Sequence, residues 1–274
     1  MKKRFIYSIG FGISLFAYSC MGGSQPKEDI SASKERHLTA TDTLEYHVEI
    51  FKEISPYFSG TDTSLDTTFF AARYPIFTPE IDTLVRDAIF VDGEHTAAQV
   101  AESFLGGFNE YAEEQIQSDG GSFHSWFQNQ DCDVMLNVPG FLSLKNTISS
   151  YTGGAHGIEI DVWSNYDIQD KQKLSLTDLI RDTTALRQIT ENYFRKQEGL
   201  NDTSSYEGSY FFDNGEFALA ENLGLTKNGL LFHYNPYEIK SYAEGPTTLG
   251  VPYPAVEKIM TEKGRTLLKA IKNK

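Results

Sequence analysis

The fold is organised around Ser149-Ser150-Tyr151-Thr152-Gly153-Gly154-Ala155-His156-Gly157. Apolar, strand-like segments precede this stretch, and the six residues that follow it, 158–163, alternate like a half-buried strand. Two adjacent glycines and a third after the histidine are typical of a tight turn or of closely packed backbone. We therefore predict strands on both sides of a glycine turn, in which the histidine is held rather than free.

The first nineteen residues have the pattern of a secretion signal. Lys2, Lys3 and Arg4 form a positively charged start, and residues 5–18 are an apolar run without an acidic residue. This run is too short for a comfortable transmembrane helix. Cys20 stands where a bacterial lipoprotein signal would be cleaved. We predict a signal peptide over residues 1–19 and a lipid on Cys20 that anchors the chain in the bacterial cell envelope, on its periplasmic or outer face; plain secretion with an incidental cysteine is the alternative.

The residues after the signal combine a polar segment with a strongly acidic chain. Residues 20–41 hold almost no large apolar side chains, which predicts a flexible tether. Without residues 1–19 the chain keeps 21 basic and 38 acidic residues, a net charge of −17. That excess disfavours nucleic acid as a partner. It favours a cationic partner, or solubility outside the cell.

Cys132 is the one thiol left if Cys20 carries lipid, so an internal disulfide is excluded. Asp131 and Asp133 flank it, and two carboxylates raise the pKa of a thiol. We predict a buried, unreactive cysteine.

Periodicity predicts strands and helices that are segregated along the chain. Strands are predicted at residues 44–50, 67–77, 134–138, 141–144, 158–168, 217–219 and 229–234. Helices are predicted to open at Thr78-Pro79 and near Thr96, and to cover residues 184–196 and 253–271. This segregation predicts an α+β fold, a two-part mixed module of antiparallel strands with segregated helices.

Three stretches together resemble a bacterial extracytoplasmic family. They are residues 151–157, residues 165–179 and residues 225–253, which include Asn235-Pro236-Tyr237-Glu238-Ile239 and Tyr242-Ala243-Glu244-Gly245. In this order they are similar to RsiV-type, lysozyme-sensing anti-sigma factors and to the non-catalytic region of PdaC-type peptidoglycan deacetylases. This is the family called domain of unknown function 3298, with an N-terminal part like domain of unknown function 4163. The resemblance covers about residues 42–262.

The resemblance implies an N-terminal α+β part over residues 42–165 and a C-terminal part over residues 166–274. It also implies that the C-terminal part is like a subdomain of the actin and heat-shock ATPases. In such relatives the module binds rather than catalyses, and lysozyme is the partner of the anti-sigma type. Because the chain begins with the signal and ends at Lys274, we expect neither a sigma-binding segment nor a deacetylase domain.

Catalysis has weak support in the sequence. His156, His233, Glu238, Asp161 and Tyr237 are the candidates, and His156 is the weak candidate for a catalytic base. The six histidines have no metal-ligand spacing, and no phosphate loop or dinucleotide motif is present, so we predict no metal and no cofactor. His233 is out of phase with its apolar neighbours, which predicts a solvent-facing side chain.

Binding has better material in the aromatic and polar loops. Tyrosine offers a large contact area at low entropic cost. The predicted ligand-binding residues are Tyr151, Thr152, Gly153, Gly154, His156, Tyr210, Pro236, Tyr237, Glu238 and Tyr242. The hypotheses are a lipid-anchored module for a lysozyme-like or other cationic envelope protein, a module for peptidoglycan or another glycan, and a hydrolase centred on His156.

Overall fold

A computed structural model describes residues 43–61, 64–91, 93–118 and 123–273. The predicted signal peptide, Cys20 and the predicted tether lie outside these residues. The strands are β1 (His47–Thr61), β2 (Ser64–Ile76), β3 (Phe127–Val138), β4 (Phe141–Tyr151), β5 (Ile158–Asp167), β6 (Gln172–Lys173), β7 (Asn222–Leu225), β8 (Gly229–Tyr234) and β9 (Thr247–Pro252). The helices are α1 (Pro79–Ile89), α2 (Ala97–Gln117), α3 (Leu176–Leu179), α4 (Thr183–Gln197), α5 (Tyr253–Val256) and α6 (Glu262–Lys272). None of these helices is both long and apolar enough to cross a membrane.

The first six strands form one sheet in the order β1-β2-β3-β4-β5-β6. Every neighbouring pair is antiparallel except β2 and β3, which run parallel. A parallel pair needs a long crossover connection, and here α1 and α2 supply it. The predicted α+β class is confirmed, and the expectation of antiparallel strands is wrong for this pair alone.

Helices α1 and α2 cover one face of the six-stranded sheet. Phe70 and Tyr74 of β2 pack with Val85 of α1 and Leu105 of α2 in a buried core. Pro79 occupies the start of α1 as predicted, although the Thr78 side chain makes no capping bond there. The opposite face is the open face, on which Phe69, Phe127 and Tyr151 are only half-buried.

The last three strands form a second sheet in the order β7-β8-β9. They pack with α4, α5 and α6 around Phe194, Phe232 and Val251. The strand predicted at residues 217–219 is wrong, because Phe217 is buried in this core outside any strand. The helix predicted over residues 253–271 is broken, since Thr261 caps a new helix by accepting from the Gly264 N–H at 3.0 Å.

Asparagine side chains join the two sheets along the outer edge of β5. Asn222 accepts from the Trp163 N–H at 2.8 Å and donates to the Asp161 carbonyl at 2.6 Å. Asn235 accepts from the Asp161 N–H at 2.8 Å, and Asn165 donates to the Leu223 carbonyl at 2.7 Å. These amides satisfy backbone groups that a neighbouring strand would otherwise pair. The predicted boundary between residues 165 and 166 lies inside β5.

Candidate functional site

The glycine turn at residues 152–157 joins β4 to β5. Gly153 and Gly154 have φ values of +94° and +99°, a region that side chains rarely adopt. A Cβ on Gly157 would lie 2.8 Å from the Ser150 carbonyl oxygen. The Tyr151 hydroxyl donates to the Gly154 carbonyl at 3.1 Å. The predicted turn is therefore confirmed, and its glycines are required by conformation and by close backbone approach.

His156 projects from this turn into a group of three rings that we call the aromatic stack: His156, Tyr237 and Tyr242. The imidazole lies 3.9 Å from the Tyr242 ring, centroid to centroid, at an interplanar angle of 17°. Tyr237 stacks on Tyr242 at 5.6 Å and 28°. Tyr242 donates its hydroxyl proton to the Gly157 carbonyl at 2.8 Å. Residues more than eighty positions apart in the chain thus form one surface.

The backbone holds Tyr237 in an unusual conformation. Its φ is +72°, in the left-handed region that costs non-glycine residues free energy. Its side chain nevertheless stays 54% exposed. The chain therefore keeps an aromatic ring at the surface in a turn where glycine would be less strained.

Hydrogen bonds fix the protonation pattern of His156. Its Nδ1 lies 2.8 Å from the Gly157 carbonyl oxygen, which can only accept, so Nδ1 carries the proton in the neutral ring. Nε2 then has a lone pair and accepts from the Tyr237 hydroxyl at 3.4 Å. Both ring nitrogens are therefore engaged, and the histidine is held as the sequence predicted.

A polar cluster lies between β4, β5 and β8. Asp161 accepts from the Thr147 hydroxyl at 2.5 Å and pairs with the Lys145 ammonium at 3.4 Å. His233 Nε2 lies 3.9 Å from an Asp161 carboxylate oxygen. Asn235 Oδ1 is an acceptor, because it accepts from the Asp161 N–H. His233 Nε2, which lies 3.2 Å from the same oxygen, therefore carries the proton and donates to it. His233 Nδ1 then has the lone pair and accepts from the Thr248 hydroxyl.

The prediction of a solvent-facing His233 is wrong. Only 4% of the residue is exposed, because its ring lies among Asp161, Asn235 and Thr248 instead of facing water. Burial lowers the pKa of His233 below its usual value, and the nearby Asp161 carboxylate opposes this only in part. The ring is therefore neutral at pH 7, and its hydrogen bonds to Asn235 and Thr248 help to hold the two sheets together.

Most predicted ligand-binding residues come together, and one does not. Tyr151, Thr152, Gly153, Gly154 and His156 belong to β4 and its turn, while Pro236, Tyr237, Glu238 and Tyr242 belong to the facing loop. Tyr210 instead packs against Phe194 and Phe212 and donates to the Glu198 carboxylate at 2.9 Å.

Sequence reasoning missed Lys145, Thr147 and Asn235 as members of the polar cluster. Asn235 precedes Pro236, and Asn-Pro is typical of a turn, so its location but not its bonding could have been predicted.

The free charge beside the aromatic stack is negative. Glu159 and Glu238 are exposed, and Glu244 is exposed in the same loop as Tyr242. Over residues 151–159 and 235–245, Lys240 is the only lysine or arginine, and its ammonium pairs with Glu198 at 2.6 Å. An incoming partner therefore meets rings bordered by carboxylates.

The described part of the chain holds no group of three or more His, Cys, Asp or Glu residues able to bind a metal ion. Cys132 is buried, as predicted, and burial together with the Asp133 carboxylate raises its pKa to about 12. The chemistry that the site itself can offer is ring stacking and hydrogen bonding from imidazole, hydroxyl and carboxylate groups.

Comparison with known proteins relates both parts of the chain to family models. Residues 53–159 match the model described as deacetylase PdaC, and residues 176–254 match the model described as protein of unknown function DUF3298. No curated protein matches the chain significantly.

Two solved structures have the same fold. A DUF3298 family member from Bacteroides fragilis NCTC 9343 superposes with a TM-score of 0.65 at 22% identity, over 85% of this chain and 99% of that one. A DUF3298 family protein from Pseudomonas aeruginosa PAO1 gives a TM-score of 0.59 at 18% identity, over 82% and 98%. At these identities the likeness concerns the fold alone.

Proposed function

We propose that this chain, which belongs to the DUF3298 family and carries a PdaC-like N-terminal part, is a non-catalytic binding module. In this proposal a lipid on Cys20 holds it in the bacterial cell envelope, and its partner is a cationic envelope protein of the lysozyme kind. The observation that carries the proposal is the aromatic stack, in which His156 and Tyr237 are exposed and Tyr242 is half-buried.

Preorganisation supports the binding role of the stack. Tyrosine rings supply contact area for little lost rotamer freedom, and rings that are already stacked lose less still on association. The positive φ of Tyr237 points the same way, because strain that persists at an exposed residue is characteristic of functional surfaces. Tyr242 is further fixed by its bond to Gly157.

Charge supports a cationic partner. Glu159 and Glu238 are exposed and lie close in sequence to His156 and Tyr237, and the whole chain has a formal net charge of −14. Complementary charge speeds encounter and selects among partners more than it deepens affinity. A basic protein surface therefore suits this site better than an acidic or neutral one.

A glycan partner is the alternative, since flat aromatic rings also stack on sugars. A hydrolase centred on His156 is the second alternative, and the word deacetylase in the description of the matched PdaC model belongs with it. The observation that favours it is the orientation of His156, whose Nδ1–H is held by the Gly157 carbonyl and whose Nε2 lone pair faces the Tyr237 hydroxyl. The likeness of the C-terminal part to an actin and heat-shock ATPase subdomain stays a prediction about fold and brings no nucleotide into the proposal.

The test measures how much lysozyme and how much purified peptidoglycan the immobilised chain retains, at about 0.01 M and about 1 M salt. The screening length shrinks from about 30 Å to about 3 Å between these conditions, so charge-steered binding falls sharply. We expect lysozyme to be retained at low salt and largely released at high salt. Retention of peptidoglycan alone, at both salts, would favour the glycan alternative; retention of neither would refute the proposal.

A further inference from the structure

The first strand of the large sheet has an open edge. Among the described strands β1 pairs with β2 alone, so the backbone groups on its other side have no strand partner. Three apolar side chains of β1 stand on the open face: Val48 at 46% exposure, Ile50 at 76% and Ile54 at 49%. Long, apolar edge strands pair with other strands unless something blocks them.

Neither a proline nor a β-bulge interrupts the first half of β1. Residues 47–54 form an unbroken ladder with β2, and the shift in register begins only beyond Ile54. Lys52 is the one lysine there, and its ammonium lies 4.5 Å above the Phe69 ring of its own sheet. Its ammonium therefore points toward β2, away from the free edge, and does not hinder another strand from pairing there.

The polar side chains of β1 favour a self-pairing register centred on Ile50 over the two adjacent registers. We consider two copies related by a two-fold axis perpendicular to the sheet, which keeps the open faces of both copies on the same side. Directly opposed residues of an antiparallel pair point to the same face, so the axis must pass through a residue position and not between two residues. With the axis at Ile50, His47 faces Glu53 of the second copy, and Ile50 faces Ile50 of the second copy. With the axis at Glu49, Glu49 would face itself; at Phe51, Glu49 would face Glu53. Facing like charges destabilise a strand pair.

We propose that the occupant of this edge is a second copy of the chain. The two β1 strands pair antiparallel about an axis at Ile50 and join the two large sheets into one. The pairing partly covers Ile50, the most exposed large apolar side chain among the described residues, and gives both edges backbone partners. It uses β1, and it is independent of the aromatic stack and of any ligand there.

The first test uses cysteine at the axis. In the full chain carrying Cys20→Ser, Ile50→Cys brings two thiols to directly opposed positions, with Cα atoms about 4.5–5.5 Å apart, within reach of a disulfide. Ile54→Cys is the matched control, because it lies on the same face but eight residues, about 26 Å, from its copy. We expect at least ten-fold more covalent dimer from Ile50→Cys after mild oxidation. Equal yields, or no dimer from either variant, would overturn the register.

The second test exchanges charges. His47→Glu places a carboxylate opposite Glu53 in both symmetry-related pairs, and we expect dimer affinity to fall about ten-fold. Adding Glu53→Lys to it replaces the facing carboxylates by an opposite-charge pair, and we expect affinity to return to within about two-fold of the parent. Sedimentation of the chain at several concentrations measures both. A double variant as weak as His47→Glu alone would refute the pairing.

Discussion

Gly224 marks the closest approach between the two sheets, and Gly224→Ala tests the joint there. A Cβ on residue 224 would lie 2.3 Å from Trp163 Cε3 and 2.7 Å from two further ring atoms, whereas real Cβ contacts essentially never fall under 3.0 Å. Trp163 is 92% buried, and its backbone N–H donates to Asn222, which fixes the main chain, so the surrounding core leaves the ring little room to move away. Overpacking typically costs about 1–3 kcal/mol, and this geometry places the loss near 3 kcal/mol.

Gly250→Ala is the matched control, since Gly250 is also a strand glycine but a Cβ there meets nothing within 4 Å. We expect it to change the free energy of unfolding by less than about 0.5 kcal/mol, or to stabilise slightly by restricting the unfolded chain. Urea unfolding followed by tryptophan fluorescence measures both variants. If Gly224→Ala unfolds within about 1 kcal/mol of Gly250→Ala, the packing account of the joint is wrong.

Three further predictions concern ionisable groups. Because burial lowers the pKa of His233, folding stability should be full above pH 6.5 and fall as the pH drops below it, and His233→Gln should lack this step in unfolding measured at pH 7.5 and 5.5. In a chain carrying Cys20→Ser, Cys132, with its pKa raised to about 12, should react with a thiol reagent only as fast as the chain unfolds; rapid labelling of this folded variant would contradict the prediction. Lys263 lies 2.5 Å from Asp167 and 2.7 Å from Asp170 and lowers the pKa of Asp170, so the stability lost in Lys263→Met should be constant above about pH 4 and shrink below it.

The sequence predicted elements where local pattern and tertiary packing agree. Both helices of the crossover were predicted, as were β8 and α4. The glycine turn was also predicted, because Gly153 and Gly154 occupy backbone conformations that few other residues reach.

Prediction failed where a distant contact decides the local structure. β7 contains Asn222 and Gly224, residues with poor strand propensity, because the asparagine bonds to β5 and the glycine admits the Trp163 ring. The break before α6 lies at Thr261, whose backbone N–H donates to the Leu179 carbonyl, and the same carbonyl oxygen would lie 2.4 Å from a Cβ on Gly264 in the first turn of α6. Neither contact leaves a periodic signal in the sequence.

The candidate site was predicted as two separate loops rather than as one surface. His156 and Tyr242 are individually visible as a histidine among glycines and a tyrosine before a turn. Their stacking depends on the hydrogen bond from the Asp161 N–H of β5 to Asn235, the residue that follows β8. The spacing of residues along the chain does not predict this bond. The same joint buries His233, which local alternation wrongly assigned to solvent.

Tyr237→Gly tests the central claim most directly. Glycine adopts a φ of +72° without strain, so the variant removes the ring from the aromatic stack and leaves the fold intact. Phe211→Ala is the control, because Phe211 is 58% exposed but lies outside the stack. We measure the affinity of each chain for lysozyme at low salt. The account predicts at least a ten-fold loss for Tyr237→Gly and less than two-fold for Phe211→Ala; equal affinities in the two variants would contradict it.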